Sequence, residues 1–267
     1  MPGIADWIRR RFASRLDPVA CLVGLAPRPG FTRNIMLTGY WPPTNDMLRL
    51  FSTDTEKNPG GWAGRNWEGR GYDLHAFFPE FDAYPDDRIG SGDLQVDYQN
   101  TSEDFWRIAG ELRPCAIITF SRTRQRAWVI ERIQRNLAEW RDDFRAPHQP
   151  TPAPPDKSLR ASGVRASTLP LRAIEEAVND AAIPGLEACI GADGGGGFLS
   201  EYIAYHGVWY QALHAGKWSP RRCVAAGHVH VGAFPTAAAR EAALITVRTV
   251  IDHIARLLPP GAAPRPS

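Results

Sequence analysis

No stretch of this sequence approaches the roughly 20 consecutive apolar residues that a membrane-spanning helix needs, so no transmembrane segment is expected. A secretory signal is not expected either, because the apolar run from Val19 to Ala26 is short and Asp17-Pro18 breaks the segment before it. The Arg9-Arg10 pair is only a faint echo of a twin-arginine signal, and residues 1–33 read as an N-terminal extension. Surplus charge is missing too. Thirty-one Lys and Arg against 29 Asp and Glu leave +2, which argues against a dedicated nucleic-acid binder or a partner of acidic surfaces. Cysteine is scarce: Cys21, Cys115, Cys189 and Cys223 show no Cys-x-x-Cys spacing and read as reduced residues of a cytoplasmic protein. Internal repeats are absent. No Gly-Lys-Ser/Thr follows the glycine run at 194–197, and no dinucleotide spacing surrounds it, so no phosphate loop and no cofactor are expected.

What is present is an alternation of short apolar runs with helical patterns. At 43% hydrophobic and 22% charged residues, 267 residues suffice for one large α/β domain. Ile35–Thr38 reads as a buried strand, Asn45–Ser52 as the start of a helix, and Tyr72–Phe78 as an extended segment carrying His75. Thr101 reads as an N-cap with Asp104 at the capping-box position, ahead of Phe105, Ile108, Ala109 and Leu112 on one helical face. Cys115–Phe120 has the unbroken apolar character of a strand covered on both faces. The stretch 141–166 contains Pro147, Pro150, Pro152, Pro154 and Pro155 and reads as an insertion loop. Leu171–Ala182 and a closing helix through Leu244, Val247, Ile251, Ile254 and Leu258 follow, and 259–267 reads as a flexible tail. Most of the nine Trp and seven Tyr residues are expected in the core.

Three stretches carry chemistry. Gly194–Gly197 forms a loop that leads into a helix beginning at or near Ser200, with Tyr202, His206, Trp209 and Leu213 at helical spacing. A hydroxyl there meets the free N–H groups and positive end of the helix dipole, which stabilise negative charge developing in acyl transfer; serine is also a favoured N-cap. Cys223–Pro235 is a short apolar strand bearing His228 and His230 and ending in turn residues, a place that suits a general base. The third stretch sets Glu131 among apolar neighbours, where an acid needs a partner. His228 and His230 could share a metal with His206 or His75, but no acid or cysteine completes a ligand spacing, and no metal is expected.

Taken together these stretches resemble the cysteine-type pyroglutamyl (pyrrolidone-carboxylate) peptidases. The elements that carry the likeness occur in the family's order from about residue 34 to 258: Ile35-Met-Leu-Thr-Gly39-Tyr-Trp-Pro42; Asn58-Pro59 followed by Trp62; Val129-Ile-Glu131-Arg-Ile with Asn136; Ser167-Thr-Leu-Pro170; and Ala226-Gly-His-Val-His230-Val. The resemblance implies a three-layer α/β/α domain over 34–258 with a central mixed sheet, and homo-oligomers of the kind usual in the family. It implies Glu131 and His230 as catalytic residues, with Ser200 at the position of the family's nucleophilic cysteine and Glu201 where asparagine follows it. Gly197 and Ser200 would supply oxyanion N–H donors, and Arg145 is the offset counterpart of the family's supporting arginine. The substrate turn would be Tyr40, Trp41 and Pro43, with Pro43 replacing one of the family's two rings. Serine–histidine–acid sets with glutamate are chemically sound, and the expected reaction is hydrolysis of an N-terminal pyroglutamyl or related amide through an acyl-enzyme on Ser200. A serine depends on its base more than a thiol does, and a carboxylate at Glu201 would repel an oxyanion. These departures point to the alternative, a catalytically inactive relative that binds a small ligand or peptide. In either case the expected partner is a peptide or small amide, not nucleic acid or membrane.

Overall fold

The computed structural model describes residues 32–258, apart from 63–64, 148–155, 193, 217–218 and 220. Most of the N-terminal extension, the 259–267 tail and the centre of the proline-rich stretch therefore lie outside the described residues. The chain is a single α/β domain with a mixed central sheet covered by helices on both faces. Its strands are β1 (Asn34–Thr38), β2 (Asp73–Phe77), β3 (Ala116–Arg122), β4 (Trp128–Glu131), β5 (Ile133–Arg135), β6 (Val164–Ala166), β7 (Ala188–Gly191) and β8 (Ala225–Val231). The helices are α1 (Pro42–Leu48), α2 (Tyr98–Leu112), α3 (Leu171–Asp180), α4 (Leu199–His214) and α5 (Thr236–Leu257). Six strands lie in the order β2-β1-β3-β8-β4-β7, and β5 and β6 form a separate antiparallel pair. All neighbours in the large sheet run parallel except β4 and β8, which run antiparallel. Among the described residues no helix is long and apolar enough to cross a membrane.

Side-chain alternation along each strand sorts the core into two layers. Ile35 and Leu37, Ala116, Ile118 and Phe120, Trp128 and Ile130, and Val229 and Val231 pack on the side that holds Val247 and Ile251 of α5 and Ile174 of α3. Met36, Ile117 and Ala226 face the other side, with Phe105 of α2 and Ile203 of α4. His228 and His230 have the parity of Ala226, and Thr119 and Ser121 that of Ile117. All four therefore face α4. That helix is buried at every position from Leu199 to Tyr210, as expected for a helix apolar on all sides. Gly207 lets it approach β3, since a β-carbon there would lie 3.5 Å from Ile117 Cγ2 and 3.7 Å from Thr119 Cγ2.

Two local expectations shift. α2 starts four residues earlier than the Thr101 pattern suggests: Asp97 is its N-cap, accepting from the N–H groups of Gln99 (2.8 Å) and Asn100 (3.0 Å), while Asp104 accepts from Leu94 N–H. Thr101 is instead a buried partner of Tyr40 Oη at 2.9 Å. α1 also begins earlier, at Pro42, because proline is preorganised for a first helical turn.

Burial holds two of the histidines, His206 and His228, neutral. His206 donates from Nδ1 to Tyr202 O (2.7 Å), leaving Nε2 to accept from Ser102 Oγ (3.2 Å), and burial holds it down at about 4. The Thr119 hydroxyl donates to Gly227 O, so His228 Nδ1 donates to Thr119 Oγ1 and Nε2 accepts from Ser121 Oγ, both at 2.8 Å. Burial and then the neighbouring His230 keep His228 well below its ordinary 6.5. Neither ring has a nitrogen free for a metal. Between pH 6.5 and 4 the unfolded chain binds protons that these two rings refuse when folded, so stability falls as pH is lowered. For His206 alone the loss should reach about 3 kcal/mol at pH 4. Thermal melts across that window should show it, and His206→Gln should flatten the fall.

Candidate active site

The site forms where the antiparallel contact brings β4 against β8. Val129 lies opposite His230 in that register, and Glu131, two residues further on the same face, is its diagonal neighbour. Glu131 Oε1 accepts a 2.8 Å hydrogen bond from His230 Nδ1, which fixes the tautomer and leaves Nε2 as the basic nitrogen. Both side chains are buried. The carboxylate fits because its neighbour on β7 is Gly191, where a β-carbon would lie 2.8 Å from Glu131 Oε2 and 2.7 Å from Val129 Cγ1. Glu131 Oε2 has no hydrogen-bond partner among the described residues.

Ser200 reaches the same place from the opposite layer. α4 begins at Leu199 with Phe198 as N-cap, so Ser200 sits inside the first turn and does not cap the helix. Its Oγ makes no hydrogen bond among the described residues. The glycine run accounts for this position. Gly194, Gly196 and Gly197 have positive φ (57°, 78° and 84°), and Gly195 supplies space. A β-carbon on Gly195 would lie 3.0 Å from Ser200 Oγ and 3.1 Å from His230 Cε1, so the serine and the histidine face each other across the gap that this glycine leaves.

Glu201 does not repel charge in the way its sequence position suggests. Its buried carboxylate takes Arg135 Nε at 2.7 Å and Arg135 N at 3.2 Å on Oε1, and Arg135 Nη2 at 2.6 Å and Gly197 N at 2.8 Å on Oε2. The pairing has a consequence for the expected oxyanion donors: the Gly197 N–H is committed to Glu201. Of the first-turn N–H groups, that of Glu201 donates to Phe198 O at 3.0 Å, and that of Ser200 has no hydrogen-bond partner among the described residues. The carboxylate that does approach this helix end is Asp143, which accepts from Phe144 N–H and from Leu199 N–H and whose acidity burial weakens.

A cavity of about 710 Å³ opens over the Glu131–His230 pair, lined among others by Gly194, Gly195, Phe198 and Asp143; Ser200 is not itself among its lining residues. Of the expected substrate turn, Trp41 lines it; Tyr40 is fully buried behind, and the side chain of Pro43 lies outside the described residues. Phe144 adds a ring to the wall beside Trp41, edge-on to it at 6.1 Å. Arg145 is not part of this wall: it pairs with Asp97 at 3.2 Å and borders a different depression. The arginine at the glycine loop is Arg141, whose N–H donates to Gly197 O at 2.9 Å and whose guanidinium lies over the Phe198 ring at 5.4 Å. Sequence reading missed Arg141, Asp143 and Phe144 because they sit in a stretch without periodicity. The aromatic Phe144 beside two acids was the only signal.

Fold and site together describe an α/β domain in which a buried histidine–carboxylate pair faces a serine at a helix N-terminus. No family model matches the sequence, and no curated protein matches it. Solved structures do. The chain is similar to pyrrolidone carboxyl peptidase from Thermococcus litoralis (TM-score 0.58, 16% identity, 86% of this chain and 99% of that one). It is similar to the pyrrolidone carboxyl peptidase of Pyrococcus furiosus (0.58, 15%, 83% and 99%) and to pyroglutamyl peptidase I of Bacillus amyloliquefaciens (0.55, 14%, 83% and 96%). At these identities the likeness establishes the fold.

The Glu201–Arg135 pair is open to a direct test. Arg135→Met leaves a buried carboxylate without its cation and should destabilise the chain by about 3 kcal/mol. Adding Glu201→Gln should recover part of that loss in denaturant unfolding.

Proposed function

We propose that this protein is a hydrolase of the pyroglutamyl-peptidase type, cleaving an N-terminal pyroglutamyl or related amide through an acyl-enzyme on Ser200. The observation that carries the reading is the 2.8 Å Glu131–His230 hydrogen bond, which leaves the basic nitrogen of His230 for the cavity wall facing Ser200. In the proposed reaction the Ser200 proton passes to His230 Nε2 as Oγ attacks the carbonyl carbon. The carbonyl oxygen takes the negative charge near the Ser200 N–H and the positive end of the α4 dipole. His230 then gives the proton to the leaving nitrogen as the C–N bond breaks, and a water deprotonated by His230 hydrolyses the ester. Glu131 holds the ring and balances its transient charge. No direct bond joins Ser200 Oγ to His230, and such contacts tighten when substrate closes the gap. No step calls for a metal or cofactor. Cys115, Cys189 and Cys223 are free, which supports a reducing, cytoplasmic setting.

The names of the fold neighbours supply the first substrate to try. A fluorogenic pyroglutamyl amide should be turned over by the wild type, and Ser200→Ala should lower the rate on the order of a thousandfold. A silent wild type beside an active Ser200→Cys variant would sink the serine mechanism and leave a binding pocket. Asp143 offers a second test, because its carboxylate lies at the helix end where the oxyanion would form. Asp143→Asn should raise kcat on the order of fivefold, equivalent to removing about 1 kcal/mol of like-charge repulsion. An unchanged or lower kcat would place Asp143 in a supporting role.

A further inference from the structure

The cavity wall nearest the end of β3 is basic, and its charge has no acid partner among the described residues. Arg122 ends β3, and Arg124 follows in the connection to β4; both line the cavity together with Gln125 and Tyr84. The connection is fastened beside His230. Thr123 N–H donates to Val231 O at 2.9 Å, and Gly232 N–H donates to Ala127 O at 3.1 Å. Glycine is required at 232, since a β-carbon there would lie 2.6 Å from Gln125 O. The two arginines therefore project from a segment anchored one and two residues beyond His230.

Their chemistry contrasts with that of the other charged groups in the same cavity. Glu131 is bonded to His230, and Asp143 to two backbone N–H groups. Arg122 has only the Tyr84 hydroxyl, at 3.2 Å, and Arg124 has no hydrogen bond or ion pair among the described residues. Both guanidinium-bearing side chains are exposed. A planar fork of donors matches a carboxylate in two-point geometry, and the partly enclosed cleft strengthens that contact over one in bulk water.

We propose that Arg122 and Arg124 determine specificity, and that the preferred substrate carries a carboxylate that they hold while its scissile bond lies between Ser200 and His230. The inference rests on reading this cavity as the substrate cleft. The carboxylate is either the free C-terminus of a short peptide or an acidic side chain next to the cleaved bond, and matched ligands separate the two.

Binding by calorimetry to the Ser200→Ala protein tests the inference without requiring turnover, so its outcome stands apart from the fluorogenic assay. The probes are pyroglutamyl-alanine against pyroglutamyl-alanine amide, and pyroglutamyl-glutamic acid α-amide, which keeps its side-chain carboxylate, against pyroglutamyl-glutamine amide. Acetyl-alanyl-alanine and its amide extend the first comparison beyond the pyroglutamyl group. At least one carboxylate probe should bind tenfold or more tightly than its neutral match. Arg122→Gln with Arg124→Gln should reduce that ratio below twofold while leaving the unfolding midpoint unchanged, since both side chains are exposed. Equal affinity within every pair, a preference that survives the double substitution, or no binding by any carboxylate probe would overturn the assignment.

Discussion

The hydrogen bond between His230 and Glu131 depends on one topological fact, that β4 runs against β8 while its other neighbour β7 runs with it. In an all-parallel sheet the end of a strand four residues long would meet the same end of its neighbour. Here the reversal carries the last residue of β4 back along β8, to a diagonal position from His230. The same strand then hands Glu131 to Gly191 on its other side, where no β-carbon competes for the carboxylate's space. A histidine, an acid and a glycine from three strands are thus brought together by register alone, before any loop is placed.

Loops supply the remainder, and they do so through charge neutralisation. The chain sets two carboxylates close to the start of α4, and it treats them differently. Glu201 has its charge balanced by Arg135 and by backbone donors, which also holds the glycine loop to the helix. Asp143 has only backbone N–H groups and a buried setting that weakens its acidity. The cavity itself is lined by two acids bonded within the protein, Glu131 and Asp143, and by Arg122 and Arg124, which have no acid partner among the described residues. Such a field orients a polar substrate along a single direction.

The sheet and the buried central helix were legible because they rest on periodicity and on short apolar runs, whereas the partnership of Glu131 with His230 was implied by the family resemblance and is a 2.8 Å hydrogen bond in the structure. The Cys115–Phe120 run reads as a strand covered on both faces, and the spacing of Tyr202, His206, Trp209 and Leu213 reads as a largely buried helix. What the sequence could not disclose was the partner of each polar group. Glu201 read as a repulsive neighbour because Arg135, 66 positions away, has no local relation to it. The resemblance pointed to Arg145, and nothing in the order of residues tells that Arg141 is the one that turns toward the glycine loop. Tyr40 is an apolar-surrounded ring whose hydroxyl is satisfied by Thr101, so it packs behind the cleft and leaves Trp41 at its wall.

The complete burial of α4 over its first three turns has a consequence for motion. Amide groups in a helix enclosed on all sides exchange with solvent only when the whole domain opens, so Ser200 rides on the most slowly exchanging part of the chain. Its position cannot adapt to a ligand without loss of the core. Any accommodation of substrates of different size has to come from the opposite wall, the 122–125 connection and the segment around Phe144, while the serine serves as a fixed point of reference.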